Sequence, residues 1–266
     1  MGCADTGVLT LTLNRPEQRN ALSVGLLESL REQLVSLRDD AGSTYRAVVV
    51  QANGPAFCAG HDLKEIIDPA NADEDSHRQL FELCSEVMML VETIPQPVIA
   101  AVHGIATAAG CQLVAATDLA VSAPSCRFAT PGVSIGLFCS TPAVPLVRCV
   151  GKKAAMDMLL TGRLVPADEA KRIGLVSHVA AAHPDDAQAE AVAAQFEAHQ
   201  LAQAIASRSG SALGIGKQTL AAQIGAPLDK AYALASEAMT RNMATEDAAE
   251  GISAFLDKRH PSWRHR

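Results

Sequence analysis

The chain has no apolar run approaching ~18 residues, so no segment is long enough to cross a bilayer as a helix. It has no charged-then-apolar N-terminal stretch of the kind that marks a secretory leader. It has seven cysteines but no CxxC and no metal-ligand spacing. An odd count in an apolar-rich chain reads as reduced thiols packed as small hydrophobes, not as a disulfide framework or a metal centre. The cytoplasm is therefore the expected compartment, with the mitochondrial matrix as the alternative for a trimmed chain. Basic residues are in the minority, 22 Lys and Arg against 29 Asp and Glu, giving a net charge of −7. That balance excludes a general nucleic-acid binder and leaves room for an anionic small molecule held by local amides and a few lysines. No glycine-rich fingerprint opens the first strand–helix–strand unit, which excludes a dinucleotide-binding oxidoreductase. Long linkers, low-complexity tracts and internal repeats are absent. Residues 1–6 (Met-Gly-Cys-Ala-Asp-Thr) fit the loose N-myristoylation pattern, a match short enough to arise by chance.

What is present is 266 residues, 48% hydrophobic and 19% charged, enough to bury a substantial core. Val8–Asn14 alternates apolar and threonine residues and predicts a strand. Leu26, Leu27, Leu30, Leu34, Val35 and Leu37 recur at helical spacing, and Ala47–Gln51 is a β-branched run. Strand, helix, strand is thus set by residue 51. Leu80, Leu83, Cys84, Val87, Met88 and Val91 predict a second amphipathic helix, and Val98–Val102 and Leu119–Ser122 two more buried strands. Beyond Gly151 the pattern becomes Ala-rich and helical: Lys152–Leu160, Ala167–Ile173 between Pro166 and Gly174, Asp185–Ser207, Leu228–Ala244 and Glu246–Lys258. The expected division is an α/β core over residues 1–185 and a helical region over 186–266.

Val98 to Asp118, VIAAVHGIATAAGCQLVAATD, is the most informative stretch. An apolar strand meets Gly104, then tiny residues lead into a buried helix, leaving unpaired N–H groups where a ligand oxygen can approach. Ala59-Gly60-His61-Asp62 is built alike. Amides from two such loops can converge on one carbonyl oxygen; alternatively, the small residues serve only close helix–strand packing.

Six stretches together resemble the enoyl-CoA hydratase/isomerase (crotonase) superfamily. They are Asn14-Arg15-Pro16 with Arg19-Asn20-Ala21-Leu22, Phe57–Lys64, Val98–Asp118, Phe128–Pro131, Leu160–Val176 and Glu250–Arg259, in family order along nearly the whole chain. The resemblance implies an α/β fold, a spiral of ββα repeats with a C-terminal helical trimerisation region, assembled as a homotrimer or hexamer. It implies an acyl-CoA or enoyl-CoA ligand of fatty-acid metabolism and no cofactor beyond the coenzyme A of the substrate. The oxyanion-hole amides would be those of His61 and Ala109. Arg19, Ala21, Leu22, Ala59 and Leu63 would line the CoA cleft, Lys64 would meet its phosphates, and Phe255 and Lys258 would reach the cleft from the tail.

The chain departs from the pattern at the two glutamates with which the family's hydratases hold and activate water. Gln112 stands at the first and Gly132 at the second; neither can exchange a proton at neutral pH. Thioester binding with feeble or absent hydratase activity is expected, the alternative being a hydratase, lyase or isomerase using other groups. His61 is the candidate substitute base, though the expectation is that only its amide matters and that its ring faces solvent or the CoA cleft. Cys111, Cys139, Ser140 and Thr141 are expected to line the acyl pocket, shaped by the helix around Leu80–Val91 and a loop over Leu137–Pro145. Asp62 and Asp118 are expected to tie loops, His103 to satisfy a turn, and Glu86 and Glu92 to face solvent.

Overall fold

The structure is a computed structural model that describes residues 2–3 (backbone), 6–40, 44–70, 73–181 and 186–266. The strands are β1 (Gly2–Cys3), β2 (Val8–Leu13), β3 (Ala47–Ala52), β4 (Val98–Val102), β5 (Ile105–Thr107), β6 (Leu119–Ser122), β7 (Arg127–Ala129), β8 (Val165–Pro166) and β9 (His178–Val179). The helices are α1 (Val24–Asp40), α2 (Leu63–Ile66), α3 (Glu74–Thr93), α4 (Ala109–Ala116), α5 (Ser140–Val150), α6 (Lys152–Thr161), α7 (Ala167–Ile173), α8 (Ala187–Ala206), α9 (Gly210–Gln223), α10 (Leu228–Met243) and α11 (Glu246–Leu256).

Two sheets form. The larger runs β1-β2-β3-β4-β6-β9, parallel except for the β1–β2 pair; the smaller runs β5-β7-β8. β4 is buried at every residue and β3 at all but Gln51, as expected for strands covered on both faces. Ala194, Ala198, Ala202 and Ala206 form a buried stripe along α8 that lets this helix lie close against β2, β3, β4 and β6.

One unit recurs. β4 joins the large sheet, β5 the small one, and α4 follows; β6 joins the large sheet, β7 the small one, and a 3-10 turn over Pro131–Ile135 follows. β3 leads to Cys58, which bridges in parallel to Ala106 of β5, before α2. This is the expected α/β spiral of ββα units. Its register has a chemical consequence. Cys58 pairs with Ala106 and Ala106 with Phe128, so the chain leaves the small sheet at neighbouring points toward His61, Ala109 and Gly132.

The helical region is tied to the core by a buried cation. Lys217 of α9, 8% exposed at its side chain, lies 2.7 Å from the Asp118 carboxylate and donates to the carbonyls of Val91 and Gln96 at 2.9 Å. Asp118 also accepts from the Val98 amide at 2.7 Å, so it does tie the start of β4, as expected. Burial holds the Lys217 pKa below its ordinary value while Asp118 opposes the shift. The division expected at residue 185 falls on residues 182–185, outside the described residues, as do residues 1, 4 and 5 of the 1–6 motif. Two of the helices differ from the sequence expectation. Leu137–Pro145 is not all loop: α5 begins at Ser140, because Pro142 lies in its first turn, where no N–H is needed. Gly210–Gln223, where three glycines obscure the pattern, is helical throughout.

Candidate active site

The candidate site is built where those chain exits converge. Gly60 has φ +95, and a side chain there would meet the Ala108 Cβ at 2.9 Å, the Thr107 carbonyl at 3.1 Å and the Ala109 nitrogen at 3.5 Å. The two loops are thus in contact, with the His61 amide next along the chain from Gly60. Neither the His61 nor the Ala109 N–H donates to any acceptor among the described residues. Ala109 opens α4, so its amide is one of the helix's free N-terminal donors. Ala108 before it holds φ 49, ψ −118, strained for a residue with a Cβ and pinned by its own amide on the Ala129 carbonyl at 2.9 Å. The two small-residue loops therefore pack against each other at the start of α4.

Both residues border a cavity of about 520 Å³, lined also by Ala59, Leu63, Ile66 and Phe81 and by Pro131–Gly132, Ser134, Ile135 and residues 137–142. Cys139, Ser140 and Thr141 line it as expected; Cys111 does not, being fully buried inside α4. No Asp, Glu, Lys or Arg is among its lining residues. A second cavity, about 1040 Å³ between α3, α4, α5 and α9, is larger but lacks the free amides, so chemistry favours the smaller. Gln112 borders this larger cavity, 3% exposed and with its Oε1 unpartnered; Gly132 borders the smaller one. The two departures therefore do not face one cavity, although Thr141 lines both. Glu92, expected on a solvated face, is half-buried in the larger cavity, where desolvation raises its pKa and Arg148 opposes the shift. Glu86 is exposed beside Arg31, as expected.

The place at Gly132 is filled by the chain itself. A Cβ there would stand 2.9 Å from both the Cys139 Sγ and the Leu137 carbonyl oxygen. The His61 ring is half-buried rather than open to solvent, edge-on to Phe81 at 5.5 Å between centroids, with Nε2 enclosed and unpartnered. Desolvation lowers its pKa to about 4, so the imidazole is neutral at pH 7 and a feeble base. Burial likewise raises the Cys139 thiol.

The linkage gives a prediction. In the folded state His61 resists protonation that the unfolded chain, near pH 6.5, accepts. Stability is therefore lost as pH falls from ~6.5 toward 4, by up to ~3 kcal/mol, with no further loss from this group below 4. Urea denaturation at pH 7 and pH 4.5 is expected to show a smaller difference for His61→Asn than for the unchanged chain; equal differences overturn the assignment.

The expected CoA-cleft loop is stitched to this site. The Ala59 amide donates to the Arg19 carbonyl at 3.0 Å, Leu22 to Gly60 at 2.7 Å and Asp62 to Leu22 at 3.1 Å. Asp62 ends in a salt bridge to Arg15 at 2.9 Å and accepts from the Lys64 amide at 3.2 Å. Arg19, Ala21, Leu22, Ala59, Leu63 and Lys64 are thus brought together, with Arg19, Leu63 and Lys64 exposed. Phe255 and Lys258 are not: Phe255 is 83% exposed at the end of α11, and neither borders either cavity. Asn20, a key residue noted in sequence only as part of a motif, is fully buried at φ 54. Its Nδ2 donates to the Asn53 and Ala56 carbonyls, and its Oδ1 accepts from the Arg15 amide, all at 2.8 Å. Asn20→Ala would strand all three partners in a left-handed backbone, an expected loss of ~2–4 kcal/mol by urea denaturation. His103, as expected, satisfies a turn through the Gly54 carbonyl at 2.8 Å.

A spiral of ββα units thus brings together two loops whose His61 and Ala109 N–H groups have no acceptor among the described residues, at the edge of an apolar cavity lined by no Asp, Glu, Lys or Arg. The sequence profile described as enoyl-CoA hydratase/isomerase matches residues 4–266, and the chain belongs to that family. It is 46% identical to mouse enoyl-CoA hydratase domain-containing protein 3, mitochondrial, over 97% of this chain and 82% of that protein. A crystal structure of enoyl-CoA hydratase from Mycobacterium smegmatis superposes with a TM-score of 0.89 at 47% identity, covering 97% of this chain and 96% of that one. The human domain-containing protein 3 superposes at 0.88 with 43% identity, covering 97% of each chain.

Proposed function

We propose that this chain binds acyl-CoA or enoyl-CoA thioesters, holds the thioester oxygen between the amides of His61 and Ala109, and lacks the proton-handling groups for efficient hydration. The observation that carries this is the pairing of two free amides with a cavity wall that has no carboxylate. Amides aimed at a thioester oxygen stabilise the charge it gains on enolisation or addition without taking or giving a proton. The hydroxyls of Ser134, Ser140 and Thr141 and the raised Cys139 thiol are poor bases in such a wall. Lys64, exposed beside the Arg19–Leu22 loop, is the proposed contact for the CoA phosphates, and a trimer or hexamer the proposed assembly.

The six cysteines whose side chains are described are free, and no described helix is long and apolar enough to cross a membrane. A reducing compartment fits both; the mitochondrial name of the mouse protein favours the matrix over the cytoplasm for this chain. Calorimetric titration with butyryl-CoA tests the binding half of the proposal. Micromolar binding that Ala109→Pro abolishes, in a variant whose circular dichroism is unchanged, supports the two-amide site. Unchanged affinity in that variant overturns it.

A further inference from the structure

Resting on that reading, we infer that the acyl group served by this pocket is an uncharged hydrocarbon chain long enough to emerge from the cavity onto an apolar rim formed by Phe81, Ile135, Leu137 and Phe138. Each of these four both lines the cavity that holds the free amides and remains open to solvent: Phe81 is 38% exposed, Ile135 60%, Leu137 57% and Phe138 46%. Large apolar side chains half out of a cavity are covered when something continuous with its contents lies across them. The cavity's own contents decide what that is. A thioester held at the His61 and Ala109 amides projects its acyl chain along the wall, so the rim prolongs the path of the tail.

The wall also sets the chemistry of that tail. It has no cation to meet a distal carboxylate and no carboxylate to meet a distal amine. The one ring nitrogen enclosed there, Nε2 of His61, is uncharged at neutral pH. A charge carried within the enclosed stretch of the chain would lie beside apolar atoms without a partner.

The test is calorimetric titration of the full chain at pH 7.5 with butyryl-, hexanoyl-, octanoyl- and adipoyl-CoA. Each enclosed methylene is worth about a fourfold gain, and a half-covered one less, so octanoyl-CoA should bind on the order of 20- to 200-fold tighter than butyryl-CoA. Adipoyl-CoA, the length of hexanoyl-CoA but ending in a carboxylate, should bind about tenfold weaker than hexanoyl-CoA or worse. Ile135→Lys, at an exposed position, should weaken octanoyl-CoA and tighten adipoyl-CoA. Equal affinities for butyryl- and octanoyl-CoA, or adipoyl-CoA binding as well as hexanoyl-CoA, overturn the inference and leave the thioester site standing. Failure of all four to bind overturns the thioester site and this inference with it.

Discussion

Crotonyl-CoA mixed with this protein is expected to lose its enoyl absorbance at least ~10²-fold more slowly than with a hydratase carrying both carboxylates. Each general acid–base role is worth roughly 10²–10⁴ in rate, about 3–5 kcal/mol of barrier. The two roles act on one water, so their losses do not simply multiply, and the lower bound is the figure to test. Neither group can be replaced from within the cavity: the His61 ring, with its pKa near 4, is too weak a base, and the Cys139 thiol is raised by burial. Hydration at a rate typical of the family would refute the assignment of Gln112 and Gly132 as a loss of proton handling.

Placing carboxylates at positions 112 and 132 is not expected to create a clean hydratase. Gln112→Glu keeps the shape but buries a carboxyl in place of an amide whose oxygen already has no partner, so the new group would favour its neutral form. Gly132→Glu needs room that the Leu137 carbonyl and Cys139 Sγ occupy at 2.9 Å. With those atoms so close, the double variant should stay slow and lose stability.

Much of this site was legible in sequence because it is written in backbone-forming residues. Val98–Val102, Leu119–Ser122 and Ala167–Ile173 form as read, since short, largely apolar runs and a Pro–Gly bracket leave few alternatives. The two small-residue loops were visible as a pattern. Their convergence was not, because it depends on the parallel pairing of Cys58 with Ala106 and of Ala106 with Phe128, contacts between segments far apart in the chain. Side-chain direction was the other gap. The His61 ring packs edge-on to Phe81, Glu92 sits half-buried, and Gln112 borders the larger cavity while Gly132 borders the smaller. Each follows from neighbours that no spacing rule supplies. The short strands β5 and β7 and the proline-bearing start of α5 escaped for a local reason: three-residue strands and a first-turn proline carry almost no periodic signal.

Gly110→Ala is expected to abolish polarisation of a bound thioester. Gly110 follows Ala109 in the first turn of α4, and a Cβ at this position would lie 2.3 Å from the Cys58 carbonyl oxygen, 2.8 Å from its Cβ and 2.9 Å from its carbonyl carbon. Two of those three atoms belong to backbone, and the oxygen already accepts from the Thr107 amide at 3.0 Å. No rotamer change can relieve the clash; α4 or the loop leading to His61 has to move. Either movement separates the two amides that the proposal requires to meet one oxygen. Overpacking of this kind costs about 1–3 kcal/mol of stability, and a lost oxyanion donor about 10²–10³ in any rate that depends on it. The direct readout is the thioester carbonyl stretch of bound acyl-CoA. It should shift to lower frequency on binding to the unchanged chain and should not shift with Gly110→Ala. Gly216→Ala, on α9 with nothing within 4 Å of the new methyl group, is the control and should keep the shift. A shift that survives Gly110→Ala would mean that the oxygen is held by groups other than the amides of His61 and Ala109.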